Sequence, residues 1–365
     1  MNQGPMPTRT NLISECVRVM KARIDSGEWG EFLPGKRRLA DILQVGRDTI
    51  RHALVELEKC RVIAPTASGC RRKTLAAPVA TSVEPPARPL KIGMLSTHRL
   101  ERLPQPMLFE VDQIRTALAA KNGTLRVLSP PWYDQKNPEQ RLEQLVREEA
   151  CTAWILYRSS LAVQRWFEEN RAPCLVRGYP QPGVNLPHLD VDWQATAHHA
   201  AAHLWRLGHR RIAVIAPRET LGGVAAAVRG IMEFPEEGFQ PLKLVEDGTV
   251  EGIIRTLSRA LTANDAPTAL VATRPRQAAT ALSWLGSRGI RVPDRLSLIS
   301  LASEPFLESL VPMIPGYRVN PGATAKLVIR RLERLAGGGP SAAANPWIVP
   351  DFEKGASIAA PPAGK

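Results

Sequence analysis

Leu33 to Leu57 reads LPGKRRLADILQVGRDTIRHALVEL, and its two apolar periods decide how the N-terminal part of the chain folds. Leu39, Ala40, Ile42 and Leu43 form one stripe; Ile50, Ala53, Leu54 and Leu57 form a second, at i, i+3, i+4 and i+7. The spacing predicts two short helices, with Gln44, Val45 and Gly46 as the turn between them and Val45 as its apolar pin. That is the plan of a helix-turn-helix, whose second helix enters a DNA major groove. The second helix starts near Arg47. Its outward residues Arg47, Asp48 and Arg51, with Thr49 beside them, offer guanidinium groups and a hydroxyl suited to guanine edges and phosphates. A buried two-helix corner with a solvated arginine face reads similarly, so the flanking sequence has to decide.

Downstream, Val62 and Ile63 precede a turn at Thr66, Ala67, Ser68 and Gly69, and Cys70 to Leu75 (CRRKTL) completes a small basic hairpin. Upstream, Ile13, Val17, Met20 and Ile24 predict a helix packed under this pair, with Trp29 and Phe32 expected to close the core. Leu12 to Leu75 resembles the winged-helix domain of the GntR family of bacterial regulators. The matching positions are a helix ending in Ser26-Gly27, then Leu33-Pro34, Leu39-Ala40, Val45, Arg47, Thr49-Ile50-Arg51, Ala53-Leu54 and Leu57. The resemblance implies a double-stranded DNA operator as partner. It places DNA contacts on Arg37, Arg47, Thr49 and Arg51, and on the wing around Gly69 with Arg71 and Arg72. Two positions depart from the family: Gly46 stands where a capping Ser or Thr is usual, and Asp48 where Thr is common.

Charge supports the same partner. The 365 residues carry a formal net charge of +13, and residues 1–78 hold 14 Lys and Arg against 8 Asp and Glu. Basicity concentrated in the first fifth of the chain favours nucleic acid, although a membrane surface attracts basic segments too. No apolar run approaches the roughly 18 residues that span a bilayer, and no signal-peptide core opens the chain. A cytoplasmic protein without a membrane partner is expected. The five cysteines (16, 60, 70, 151 and 174) show no metal or redox spacing and are expected to be reduced. Of His198, His199 and His203, the last two stand at i, i+4 on a predicted helix and come nearest to a metal pair, but no third ligand of suitable type follows at useful spacing, so neither metal nor cofactor is expected. Ala77 to Pro89 holds four prolines and reads as a semi-rigid linker. The expected division is therefore a winged helix-turn-helix at 1–76, a linker at 77–89, a second domain at 90–358 and a tail at 359–365.

Beyond Leu90, apolar runs alternate with amphipathic helical periods. KIGMLS, LRVLS, AWILY and CLVRG read as one set of parallel strands, and RRIAVIAP, LKLVED, TALVAT and LSLISL as another. Helices are predicted between them, the last near Thr324 to Leu335 and grouped with the second set. The expectation is an α/β domain of two doubly wound lobes with a ligand cleft at the strand carboxyl ends. Leu189 to Pro217 (LDVDWQATAHHAAAHLWRLGHRRIAVIAP) carries Asp192, Leu204, Leu207-Gly208-His209-Arg210-Arg211-Ile212 and Ile215. On those residues, and on Gly289 to Ser300, Leu90 to Ile358 resembles the sensor domain of the LacI family, which shares the periplasmic-binding-protein fold. The resemblance implies a small-molecule effector and a homodimer. A GntR head joined to a LacI-type sensor is a known combination among repressors of sugar-use genes.

Three positions where that family holds sugar hydroxyls with charged groups read Ala227, Pro275 and Ala302 here, which argues against a neutral sugar held in the usual way. Arg158, Arg177, Arg218 and Arg274 follow strands instead. The effector-binding set is taken as Arg158, Arg218 and Arg274, selecting an anion such as a sugar acid or sugar phosphate. The alternative is that these arginines are solvated or paired with Glu219 and Glu304. Trp132 and Tyr133 are read as rim or core rather than as a stacking face. No phosphate loop, dinucleotide motif or nucleophile-base pair can be singled out, so no catalytic residue is assigned. Three functions stay open: an effector-controlled DNA-binding regulator, the favoured one; a regulator whose degenerate sensor only dimerises; and an α/β enzyme with a basic appendage.

Overall fold

The computed structural model describes residues 12–25, 29, 31–43, 45–64, 72–75, 89–218, 221–338 and 347–362. The chain divides into two compact units, Met1–Arg88 and Pro89–Lys365. Most of the expected linker, the turn at Thr66–Gly69, and Cys70 and Arg71 lie outside the described residues.

In the N-terminal unit, helix α1 (Leu12–Asp25) buries Cys16, Met20 and Ile24 against α2 (Lys36–Leu43) and α3 (Arg47–Lys59). Both predicted stripes face this core: Leu39 and Ala40 from α2, and Ile50, Ala53, Leu54 and Leu57 from α3. Val45 packs on the same cluster from the turn, and its N–H donates to the Ala40 carbonyl at 3.2 Å. Antiparallel bridges pair Phe32 with Lys73 and Ile63 with Thr74, so chain on both sides of the undescribed wing turn is drawn together. This is a winged helix-turn-helix. Phe32 departs from expectation: it is 43% exposed, because its bridge commits the backbone while the ring turns out, and Trp29 alone packs on the core.

The C-terminal unit is α/β with two lobes. The first is built from β1 (Lys91–Ser96), α4 (Gln105–Ala119), β2 (Thr124–Leu128), α5 (Glu139–Glu149), β3 (Ala153–Tyr157), α6 (Leu161–Glu169), β4 (Cys174–Arg177) and β5 (His188–Val191). The chain crosses over at Asp192. It then forms α7 (Trp193–Arg206), β6 (Arg211–Pro217), α8 (Gly222–Met232), β7 (Gln240–Glu246), α9 (Val250–Thr262), β8 (Ala269–Ala272), α10 (Pro275–Ser287) and β9 (Ser297–Ser300). Next come β10 (Gly316–Arg318), α11 (Pro321–Ala336), β11 (Trp347–Ile348) and β12 (Asp351–Glu353). The sheets run β11-β5-β4-β3-β1-β2 and β7-β6-β8-β9 and are parallel throughout, while β10 pairs with β12 antiparallel. Strands covered on both faces need continuous apolar runs, and β3, β8 and β9 are buried along nearly their whole length.

Helix starts follow from short polar caps. Ser160, Asp192, Thr249 and Asn320 each accept from a backbone N–H three residues on, and Pro321 opens α11. Two features differ from the sequence expectation. Helix α11 belongs to the first lobe, where Ala325, Val328, Ile329 and Leu332 join the core of β1 and α4. The C-terminal segment also begins inside the second lobe rather than as a tail. His209, fully buried, bonds Thr268 Oγ1 at 2.9 Å, Ser297 Oγ at 3.1 Å and the Ala359 carbonyl at 2.8 Å, while Ala359 N–H donates to Ser297 Oγ. Among the described residues no helix is long and apolar enough to cross a membrane, and no cluster of three metal-ligating side chains occurs.

Candidate functional site

Two surfaces carry chemistry. On the first, α3 begins at Gly46, extended at φ −63° and ψ 150°, with no side chain capping its free N–H groups. With the apolar stripe turned inward, Arg47, Asp48, Arg51 and His52 are exposed and Thr49 is half-buried. Arg51 lies 3.4 Å from Asp48 Oδ1, and with Asp48 89% exposed that pair adds at most about 1 kcal/mol, so Arg51 is easily drawn to another acceptor. Arg37 is exposed on the first turn of α2. Arg72 is placed differently: its Nε donates to Glu58 Oε1 at 2.7 Å and both side chains are largely covered, which ties the wing strand to the back of α3. Gly69 and Arg71 lie outside the described residues.

The second surface is a cavity of about 670 Å³ between the lobes, at the carboxyl ends of the strands. Ala227, Pro275 and Ala302 all line it, as does the basic pair Arg158 and Arg274. Arg218 does not: it is exposed beyond β6, where its N–H donates to the Glu246 carbonyl. Arg177 lines the floor but is consumed there. It donates to Glu110 through Nε at 2.8 Å and Nη2 at 2.9 Å, to Asp190 at 3.1 Å and to the Leu189 carbonyl at 3.2 Å. Burial opposes its charge, but these carboxylates outweigh burial and raise its pKa.

Arg158 has φ 52°, the left-handed region, at the exit of β3, and Nη1 donates to His98 Nε2 at 3.3 Å. His98 Nδ1 lies 2.8 Å from Thr97 Oγ1. Burial, then the charges of Arg158 and Arg102, lower the His98 pKa, in keeping with a neutral ring that accepts from Arg158. Burial and next the charge of Arg158 lower the pKa of Arg274. On the acidic side, buried Glu246 accepts from Gln277 Nε2 at 2.8 Å and from Gly248 N–H. Glu304 also lines the cleft, and burial alone raises its pKa. Glu219 lies outside the described residues. Trp132 is half-buried and Tyr133 fully buried in the core beside α6, so neither lines the cleft.

Tyr179 and Trp193 form the apolar wall near the crossover. Tyr179 Oη donates to the Val191 carbonyl and accepts from Trp193 N–H, both at 3.2 Å. Helix α8 starts against this wall through Gly222 and Gly223. A Cβ at Gly222 would meet Tyr179 Cβ at 2.6 Å, and one at Gly223 would meet Trp193 Cδ1 at 2.7 Å. The Gly-Gly pair was visible in the sequence, but only the fold shows what it lets approach. His98 was findable as the second residue past β1, where ligand-facing groups of such sheets collect. The triple His198, His199 and His203 holds no metal geometry: His199 Nδ1 lies 2.7 Å from Tyr317 Oη, and the His203 ring packs tilted against Phe352.

Comparison with known proteins places this geometry. Residues 201–358 match the family model of the periplasmic binding protein-like domain. The HTH-type transcriptional repressor CytR of Escherichia coli (strain K12) is 28% identical over 205 residues, which cover 53% of this chain and 58% of that protein. The chain thus spans little more than half the length of the curated relatives it matches. A LacI family transcriptional regulator from Bifidobacterium animalis subsp. lactis superposes with a TM-score of 0.64 at 23% identity, covering 76% of this chain and 100% of that one. The transcriptional regulator CelR, solved as a cellobiose complex, superposes at 0.62 and 15% identity, covering 89% and 100%. At these identities the structural likeness is one of fold.

Proposed function

We propose that this chain is a DNA-binding transcriptional repressor, controlled by a small molecule held between the lobes of its C-terminal unit. The observation that carries the reading is α3. Its Ile50, Ala53, Leu54 and Leu57 are spent on the core, while Arg47 and Arg51 stand exposed at an uncapped helix start, with Thr49 between them. That combination suits major-groove edges and phosphates. The order of helix, bridge, two helices and paired bridges supports a GntR-type winged head. The family match over residues 201–358 and the likeness to CytR, a repressor by name, support a LacI-type sensor behind it. One short recognition helix contacts few bases, so the reading includes a homodimer on a pseudo-palindromic operator, in the cytoplasm.

Operator selection from random duplexes, followed by fluorescence anisotropy, tests this. Arg47→Ala and Arg51→Ala should each weaken the selected site by about 1–3 kcal/mol and relax base preference. Arg72→Ala should lower the melting temperature of the head, because its partner is Glu58. A double Arg47→Ala, Arg51→Ala variant that selects and binds the same site as the wild type would refute the assignment.

A further inference from the structure

The free charge of the cleft is positive. Five arginines (102, 158, 177, 274 and 276) line it against three carboxylates: Asp190 is paired with Arg177, Glu246 is held by the neutral donors Gln277 and Gly248, and Glu304 faces the cavity. Among the described residues no carboxylate pairs with Arg158, from the first lobe, or with Arg274, from the second. Arg158 also sits in a backbone region that disfavours a non-glycine residue, and His98 fixes its guanidinium. Helix α8 starts at the cleft with no side-chain cap and α10 starts there at Pro275, so the positive ends of two helix dipoles share the space.

We infer that the cleft binds a small oxyanion, a phosphate monoester or a carboxylate, between Arg158 and Arg274, and that the bound charge draws the two lobes together. Without a ligand the two guanidinium groups face one cavity as like charges with no carboxylate, among the described residues, bonded to either. An anion replaces that repulsion with two charge-assisted contacts, one from each lobe, so binding and closure become one event. A hydroxyl on the ligand finds its acceptor in Glu304. The inference rests on reading the cleft as the effector site and adds the chemistry of the effector.

The test is calorimetric titration of the full chain, at fixed ionic strength, with glucose, gluconate, glucose 6-phosphate and inorganic phosphate. Arg158→Gln and Arg274→Gln are compared with Arg291→Gln, a control at an exposed pair with Asp294. At least one anion should saturate the wild type, with glucose at least about tenfold weaker; either cleft variant should lose at least about tenfold, and the control about twofold at most. Gluconate against glucose 6-phosphate tells carboxylate from phosphate. Equal binding of glucose, no saturation by any anion, or cleft variants no weaker than the control would overturn the inference. Melting of the unliganded variants is an independent readout. Relief of repulsion should leave both at or above the wild type, whereas a clear drop in both would mark the arginines as structural and also overturn it. Operator binding by the same preparations separates the two readings: intact operator binding with failed titrations removes only the oxyanion.

Discussion

Replacing Arg177 by Met should be among the most damaging single changes in the C-terminal unit. The guanidinium makes four contacts of 2.8–3.2 Å, three of them to the carboxylates of Glu110 and Asp190, and both Arg177 and Glu110 are under 10% exposed. Methionine fills much the same volume, so the loss is electrostatic: two buried carboxylates keep their desolvation penalty and lose their counterion. Breaking a buried pair from one side costs about 3–5 kcal/mol. At about 2–4 °C per kcal/mol for a unit of this size, the melting temperature should fall by about 6–20 °C. The triple variant Arg177→Met, Glu110→Gln, Asp190→Asn removes the stranded charges and should regain at least about half of that loss. Thermal unfolding followed by circular dichroism, with urea titration for the free energies, reads both. A single variant that loses less than about 1 kcal/mol, or a triple variant no better than the single, would refute the account of Arg177 as a charge consumed at the cleft floor.

Acid should destabilise the unit in a defined window. Burial lowers the pKa of His199 to about 4 and also lowers those of His203, His209, His188 and His98, so the unfolded chain takes up these protons first. Stability is then complete above about pH 7 and drains as the pH falls from 6.5 toward 4, with His199 contributing about 3 kcal/mol at most; a melting temperature flat down to pH 4.5 would disprove it. Two glycine substitutions in the second lobe should act in opposite directions. Gly223→Ala overpacks against Trp193 and should cost about 1–3 kcal/mol, while Gly286→Ala, in α10 with open space around it, should gain about 0.4–1 kcal/mol. A Gly223→Ala melting temperature at or above the wild type would show that the approach of α8 to the crossover is not tight, and a Gly286→Ala loss would refute the open space around α10.

The sequence by itself determined the elements that bury a periodic face. The stripes of α2 and α3 and the apolar runs of β1, β3, β6, β8 and β9 are local in period and long enough to read, because burial of one face or both imposes the pattern directly. The resemblance to the LacI-type sensor implied that Ala227, Pro275 and Ala302 meet at one place, and all three line the cleft. Short elements escaped: β5 contains His188 and Asp190, β10 spans three residues and β11 two, and none holds a full period. Only the tertiary structure assigned α11 to the first lobe, because that depends on where the chain crosses back and not on the face it buries. The partners of the arginines were decided there too. Arg72, Arg158, Arg177, Arg218 and Arg274 look alike in the sequence, yet one holds the wing, one is neutralised, one faces solvent and two converge on the cleft. A guanidinium's role is set by the carboxylates within about 4 Å of it, and here those come from residues up to 67 positions away, as with Arg177 and Glu110.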